Sequence, residues 1–141
     1  MEEVRKQGME SLFCPYEQAL ALKELGFDEP CILLYRGLDT QPVCQMGYEF
    51  KTEKNSDYND ETNYWLTAPL YQQAFRWFRE KYNLIPNIHS IYTDETHIKI
   101  AFWFWFGNYE DDSDDEVFYG TYEEAELECL KKLIEIVRNA K

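Results

Sequence analysis

The order of apolar and polar residues along the chain predicts three α-helices. The first is PYEQALALKEL, residues 15–25, in which Pro15 suits the first helical position because no partner exists there for an N–H. Gly26 suits the left-handed residue that follows many helices. Residues 15–25 are therefore expected to form a helix that stops before Gly26.

The second predicted helix contains LYQQAFRWFREKY, residues 70–82, with Thr67 as its cap and Pro69 in its first turn. Apolar residues recur at spacings of three and four, which gives one apolar stripe along the helix. The stripe consists of Tyr71, Ala74, Phe75, Phe78 and Tyr82, widened by Leu70 and Trp77. This face is expected to be buried.

The third predicted helix has the strongest start signal in the chain. Thr121 and Glu124, in TYEE, make a capping box. Acidic residues lie in its first turns and basic residues toward its end, which matches the helix dipole. Its buried face is expected to contain Leu127, Leu130, Leu133, Ile134 and Val137.

Two strands are predicted between the first and second helices. CILLYRG, residues 31–37, is short and apolar, as buried strands are, and VCQMGYEF, residues 43–50, is a weaker candidate. Residues 51–63, KTEKNSDYNDETN, are polar and lack periodicity, so they predict a surface loop.

Two further strands, NIHSIYT (87–93) and THIKIAFWFWF (96–106), are predicted to form a hairpin with a tight turn. The tight turn gives two opposed pairs, Ile91 with Ile98 and His89 with Ile100. Together the patterns predict a single α+β domain over residues 1–141. It would contain an antiparallel sheet of about four strands, with three helices packed mainly on one face, in the order α-β-β-α-β-β-α.

The run AFWFWF, residues 101–106, is apolar on both faces of its strand. Side chains alternate along a strand, so one face carries Ile98, Ile100, Phe102, Phe104 and Phe106, and the other His97, Lys99, Ala101, Trp103 and Trp105. The phenylalanine face is expected to be core. Trp103 and Trp105 either lie beneath another element or form part of an interface covered by a partner or a second copy.

The net charge of the chain indicates which kinds of partner it can bind. The 141 residues carry a net charge of −13, and from residue 100 to residue 130 there is no Lys or Arg. Direct nucleic-acid binding is disfavoured because phosphate backbones repel such a chain, whereas a protein partner with a basic surface suits it. The expected partner-binding residues are Trp103, Trp105, Tyr109, Glu110, Asp111, Asp112, Asp114, Asp115 and Glu116, the last seven in an acidic loop at 108–116.

A second function is also compatible with the sequence, namely an oligomeric protein that traps a nucleotide signal. Arginines can hold phosphate and aromatic rings can stack on a base. The candidate ligand-binding residues are Arg36, Tyr48, Arg76, Trp77 and Arg79.

Catalytic and metal-binding patterns are not found in the sequence. The four cysteines are widely spaced and only His89 and His97 could assist them, so they are expected to be reduced, small apolar residues. The acids at 110–116 do not match an EF-hand. We expect no enzyme activity and no cofactor.

An apolar run long enough for a membrane span is missing and the first residues lack a signal-peptide pattern, so we expect a cytoplasmic protein.

Three segments resemble a family of small uncharacterised proteins encoded by phages and prophages of Bacteroidota: PYEQALALKELGFDEPC, TAPLYQQAFRWFREKYNL and TYEEAELECLKKLIEIV. The resemblance implies a phage setting and no particular site. A phage setting favours a protein that acts on the bacterial host. The net charge of −13, the stretch without Lys or Arg and the lack of a catalytic pattern predict how it acts: as a non-catalytic protein that blocks a host factor, such as a nucleic-acid-binding or antiviral defence protein, through an acidic surface that mimics phosphate.

Overall fold

The computed structural model of this chain describes residues 9–36, 42–44, 52–58, 65–96, 99–107 and 117–140. Within these ranges the order is α1 (Tyr16–Glu24), β1 (Leu33–Arg36), β2 (Pro42–Cys44), β3 (Trp65–Ala68), α2 (Tyr71–Tyr82), β4 (Pro86–Tyr92), β5 (Ile100–Phe106) and α3 (Tyr122–Ala140). Short 3₁₀ helices cover Met9–Leu12 and Asn55–Asp57. The predicted α+β class and its three helices are confirmed, and β3 is an additional strand.

The strands form two antiparallel sheets, whereas one sheet of about four strands was predicted. One sheet has the order β2-β1-β3 and the other is the β4-β5 pair. The chain divides into two compact units, residues 1–74 and residues 75–141, with the boundary inside α2. The assignment of residues 1–141 to a single domain stays a prediction.

The strand β3 corrects the predicted role of Thr67. Thr67 pairs with Leu34 of β1 and is buried, so it is a strand residue and does not cap α2. The helix begins at Tyr71, and the backbone N–H of Leu70 donates to the Gln73 side-chain oxygen at 3.1 Å. A four-residue strand that only two residues separate from a helix shows no periodicity of its own. The sequence pattern therefore predicted that Thr67 belongs to the start of the helix.

The core of the first unit lies between α1 and its sheet. It contains Phe13, Ala19, Leu33, Tyr35, Leu66 and Ala68. The buried Tyr35 hydroxyl donates to the Cys14 carbonyl at 2.6 Å. The predicted end of α1 is confirmed: Gly26 has φ 101°, and the Phe27 N–H donates to the Leu22 carbonyl at 2.9 Å.

The polar segment predicted as a surface loop is ordered over its described part, residues 52–58. Glu53 and Cys31 exchange two backbone hydrogen bonds of 2.8 Å. Asn55 is buried; its side-chain N–H₂ donates to the Phe27 carbonyl at 2.9 Å, and its oxygen accepts the Thr67 N–H at 3.0 Å. This polar segment therefore contains a buried side chain, Asn55, whose hydrogen bonds form a cross-link between three parts of the chain.

In the second unit, α3 packs against β4 and β5. The Glu124 N–H donates to the Thr121 hydroxyl at 3.1 Å, as the capping pattern predicted. The buried residues of α3 are Ala125, Cys129, Leu130, Leu133, Ile134 and Val137, which confirms most of the predicted face. Leu127 is half-buried. No helix among the described residues has both the length and the apolar character that a membrane crossing requires.

Three cysteines of the described ranges, Cys14, Cys31 and Cys129, are buried thiols, as expected for small apolar residues. Burial raises the pKa of the Cys31 thiol to about 12 and raises the pKa of the Cys129 thiol further. Both thiols therefore stay protonated at neutral pH, which leaves them poor nucleophiles.

Glu126 gives the second unit a pH-dependent stability. Partial burial, together with the charge of Glu123, raises the pKa of the Glu126 carboxyl to about 6 from an ordinary 4.5. The folded chain thus holds this proton more tightly than the unfolded chain, so stability is lost as pH rises from 4.5 through 6. Replacing Glu126 with Gln is expected to increase the free energy of unfolding at pH 7 by up to ~1 kcal/mol, after allowance for solvent screening.

Urea unfolding of both proteins at pH 4 and pH 7 tests this expectation. At pH 4 the substitution should have little effect, because the carboxyl is protonated in both states. A Glu126→Gln variant that is equally stabilised at both pH values, or destabilised at pH 7, would show that ionisation of this carboxyl is not the cause.

Candidate functional site

The register of the β4–β5 hairpin decides which residues share a face. His89 lies opposite Trp103, and Ile91 lies opposite Ala101, so the predicted pairs of His89 with Ile100 and Ile91 with Ile98 are wrong. The connection is longer than a tight turn, and the Thr93 N–H donates to the Lys99 carbonyl at 2.9 Å. The shift is three residues, an odd number, so it moves His89 from the phenylalanine face to the tryptophan face.

His89, Trp103 and Trp105 form one cluster, which we call the aromatic face. The His89 ring stacks on Trp103 with centroids 5.1 Å apart and on Trp105 with centroids 5.9 Å apart. The Trp105 indole N–H donates to Nε2 of His89 at 2.6 Å. This hydrogen bond holds the two rings in one relative orientation.

The aromatic face is open to solvent. Trp105 is 44% exposed, His89 is exposed and Trp103 is half-buried. Two roles were predicted for the tryptophans, burial beneath another element or contact with a partner. Within the described residues, Trp105 is not buried beneath another element. Rigid, partly exposed indoles are typical of contact residues at protein interfaces.

The phenylalanine face is less buried than predicted. Phe106 is buried, but Phe102 and Phe104 are half-buried and Ile100 is exposed. The Phe102 ring meets Tyr122 edge-on at 5.8 Å, and the Phe104 ring stacks on Tyr119 at 6.0 Å. The expectation of a fully buried face is corrected, because this face becomes more exposed toward the turn, where Ile100 and Tyr92 lie opposite each other.

Exposed apolar side chains are concentrated in the second unit. Apart from Leu12, the exposed large apolar residues of the described ranges are Ile85, Ile91, Tyr92, Ile100, Trp105, Val117, Phe118 and Tyr122. Ile91 and Trp105 share one face of the hairpin, whereas Tyr92 and Ile100 share the other, so the exposed apolar surface is divided between the two faces.

The predicted acidic loop, with Tyr109, Glu110, Asp111, Asp112, Asp114, Asp115 and Glu116, lies outside the described residues. Its assignment to partner binding stays a prediction. The described residues contain no group of three His, Cys, Asp or Glu side chains that could hold a metal ion.

The residues of the predicted nucleotide pocket have different surroundings. Arg36 is exposed at the end of β1, and Tyr48 lies outside the described residues. Arg76 is exposed and pairs with Glu80 at 2.8 Å, which lowers the pKa of that carboxyl, and Arg79 is also exposed.

Trp77 is 6% exposed, and its ring packs on Phe78 and Tyr82. A buried indole does not offer its face to a base, which weighs against a stacking role for Trp77. The nucleotide pocket stays a prediction without support from this geometry.

Comparison of the chain with protein-family models, with curated proteins and with solved structures finds no match. The resemblance to phage-encoded proteins therefore stays a prediction. The aromatic face is the described feature from which a function can be argued.

Proposed function

We propose that this chain is a non-catalytic binding protein whose aromatic face docks on a basic surface of a protein partner. The observation that carries the proposal is the solvent exposure of a preformed ring cluster, with Trp105 held against His89 by a 2.6 Å hydrogen bond. A preformed contact surface loses little side-chain entropy on binding, and tryptophan is enriched among the residues that contribute most to affinity.

The charge of the chain supports a basic partner. The acidic run at 110–116 begins five positions after Trp105, and the net charge is −13. Opposite charge on a partner accelerates association and rejects acidic competitors. Carboxylates grouped in this way would occupy a surface that otherwise binds phosphate.

The resemblance to phage and prophage proteins supports a partner from the bacterial host, such as a nucleic-acid-binding or antiviral defence protein. A role without catalysis is supported by the protonated state of the buried Cys31 and Cys129 thiols and by the engagement of His89 Nε2 with Trp105. The chain would act by occupying the host factor's binding surface.

Capture from a Bacteroidota lysate at low salt tests the proposal with three immobilised baits. These are the unaltered chain, an Asp111→Asn/Asp112→Asn/Asp114→Asn variant, and a Glu17→Gln/Glu24→Gln/Glu29→Gln control that loses the same charge from exposed positions of the first unit. We expect the unaltered chain and the control to retain a partner in stoichiometric amount, and the Asn variant to lose most of it.

Equal retention by all three baits would show that the acidic run takes no part in binding. The absence of a stoichiometric partner on the unaltered chain would contradict the proposed function itself.

A further inference from the structure

The exposed part of Trp105 has no hydrogen-bonding group. An indole has one polar group, its N–H, and that of Trp105 donates to Nε2 of His89 at 2.6 Å. Trp105 is nevertheless 44% exposed. The surface that it offers to a partner therefore consists of ring carbons and their π electrons. Such a surface has no donor for a partner's carboxylate or carbonyl, but the face of the ring attracts positive charge.

The described residues place no cation of the chain itself on the indoles of the aromatic face. Elsewhere in the second unit, the Lys81 ammonium lies 5.0 Å from the centroid of the Trp77 ring, which is within the range of a cation–π contact. No Lys or Arg of the described ranges lies in this way over Trp103 or Trp105. Lys99 is the cation nearest to Trp105 in the sequence, and the six positions between them span about 20 Å of extended chain.

The charges of the chain and of the hairpin indicate which side chain of a partner fits this surface. The net charge of −13 attracts basic groups, but the strands PNIHSIY and IAFWFWF contain no Asp or Glu with which such a group could pair. A lysine ammonium is a strongly hydrated point charge, whereas an arginine guanidinium is planar, weakly hydrated and stacks on aromatic rings. A surface of rings without carboxylates therefore favours arginine over lysine.

We propose that the aromatic face receives an arginine of its basic partner, with the guanidinium stacked on the exposed indole of Trp105. This inference rests on the proposed function and names the side chain that the docking surface recognises. The negative charge of the chain attracts the partner, and the rings select arginine among the basic side chains. The hydrogen bond to His89 holds the Trp105 ring in place before the partner arrives.

Titration with short peptides tests this inference on the whole chain. Three acetylated and amidated peptides are compared: Gly-Arg-Gly-Arg-Gly, Gly-Lys-Gly-Lys-Gly of equal charge, and the uncharged Gly-Leu-Gly-Leu-Gly. The four tryptophans give four indole N–H signals by NMR, and the signal missing from a Trp105→Leu variant belongs to Trp105. We expect the arginine peptide to shift this signal with an affinity at least about threefold higher than that of either other peptide. The buried Trp77 should not respond.

Two substitutions separate the ring from apolar surface of similar size. Trp105→Leu keeps an apolar side chain and removes the ring, so it should bind the arginine and lysine peptides equally. Trp105→Phe keeps a ring and should retain the preference for arginine. If Trp105→Leu does not fold, the three titrations of the unaltered chain decide. Equal affinities of the unaltered chain for arginine and lysine, equal affinities for arginine and leucine, or a preference for arginine that survives in folded Trp105→Leu would each overturn the inference.

The peptide experiment and the lysate experiment can fail separately. A chain that retains a stoichiometric partner from the lysate but binds the arginine and lysine peptides equally contradicts this inference and leaves the proposed function standing. A chain that prefers the arginine peptide but retains no partner contradicts the proposed function, whereas the recognition of arginine by Trp105 is supported.

Discussion

Replacement of both Trp103 and Trp105 with Ser is expected to reduce affinity for the protein partner at least about thirty-fold, which corresponds to ~2 kcal/mol. The physical reason is that the indoles form the rigid, partly exposed part of the aromatic face, and docking removes their surface from water. His89 also loses the indole N–H that it accepts at 2.6 Å, so its ring is no longer fixed. Isothermal titration calorimetry with the captured partner measures the change.

The double variant is expected to keep its fold, since Trp105 is 44% exposed and Trp103 half-buried. Leu12→Ser is the matched control, because Leu12 is an exposed apolar residue of the first unit. The affinity of this variant for the partner should be unchanged. Loss of the far-UV circular dichroism of the double variant would show instead that the tryptophans belong to the core. Equal affinity losses for both variants would remove the special role of the aromatic face.

Replacement of Asn55 with Ala is expected to lower the free energy of unfolding by about 3 kcal/mol. The substitution removes two buried hydrogen bonds, those of the Asn55 side chain to the Phe27 carbonyl and to the Thr67 N–H, and losing the partner of a buried polar group costs ~1–3 kcal/mol. Urea unfolding followed by circular dichroism measures the difference in the free energy of unfolding between this variant and the unaltered chain.

Asn87→Ala provides a control of the same chemistry, because Asn87 makes an exposed, local hydrogen bond to the Ile85 carbonyl. That variant should change stability by less than about 0.5 kcal/mol. Similar losses for Asn55→Ala and Asn87→Ala would show that the buried cross-link does not hold the first unit together.

The helices could be predicted from the sequence because their signals are local. Gly26 at the end of α1, the cap at Thr121 and the apolar stripes of α2 and α3 each depend on neighbours within one or two turns. The buried role of Asn55 could not be predicted, because its two partners stand 28 and 12 positions away in the chain.

The candidate site was only partly predictable for a similar reason. The alternation in AFWFWF correctly separated Trp103 and Trp105 from the phenylalanines, because alternation is a property of a single strand. The addition of His89 to that face depends on the length of the connection between two strands. The assumption of a tight turn shifted the predicted register by three residues. Because three is an odd number, His89 was placed on the opposite face of the hairpin.

We propose above that this acidic chain binds a basic protein partner through its aromatic face. The most direct test is the dependence of the partner's affinity on salt concentration, measured for the unaltered chain and for the Asp111→Asn/Asp112→Asn/Asp114→Asn variant. We predict that affinity for the unaltered chain falls steeply as salt rises and that the variant binds more weakly with a shallower dependence. An affinity that is independent of salt and equal for both proteins would contradict the claim.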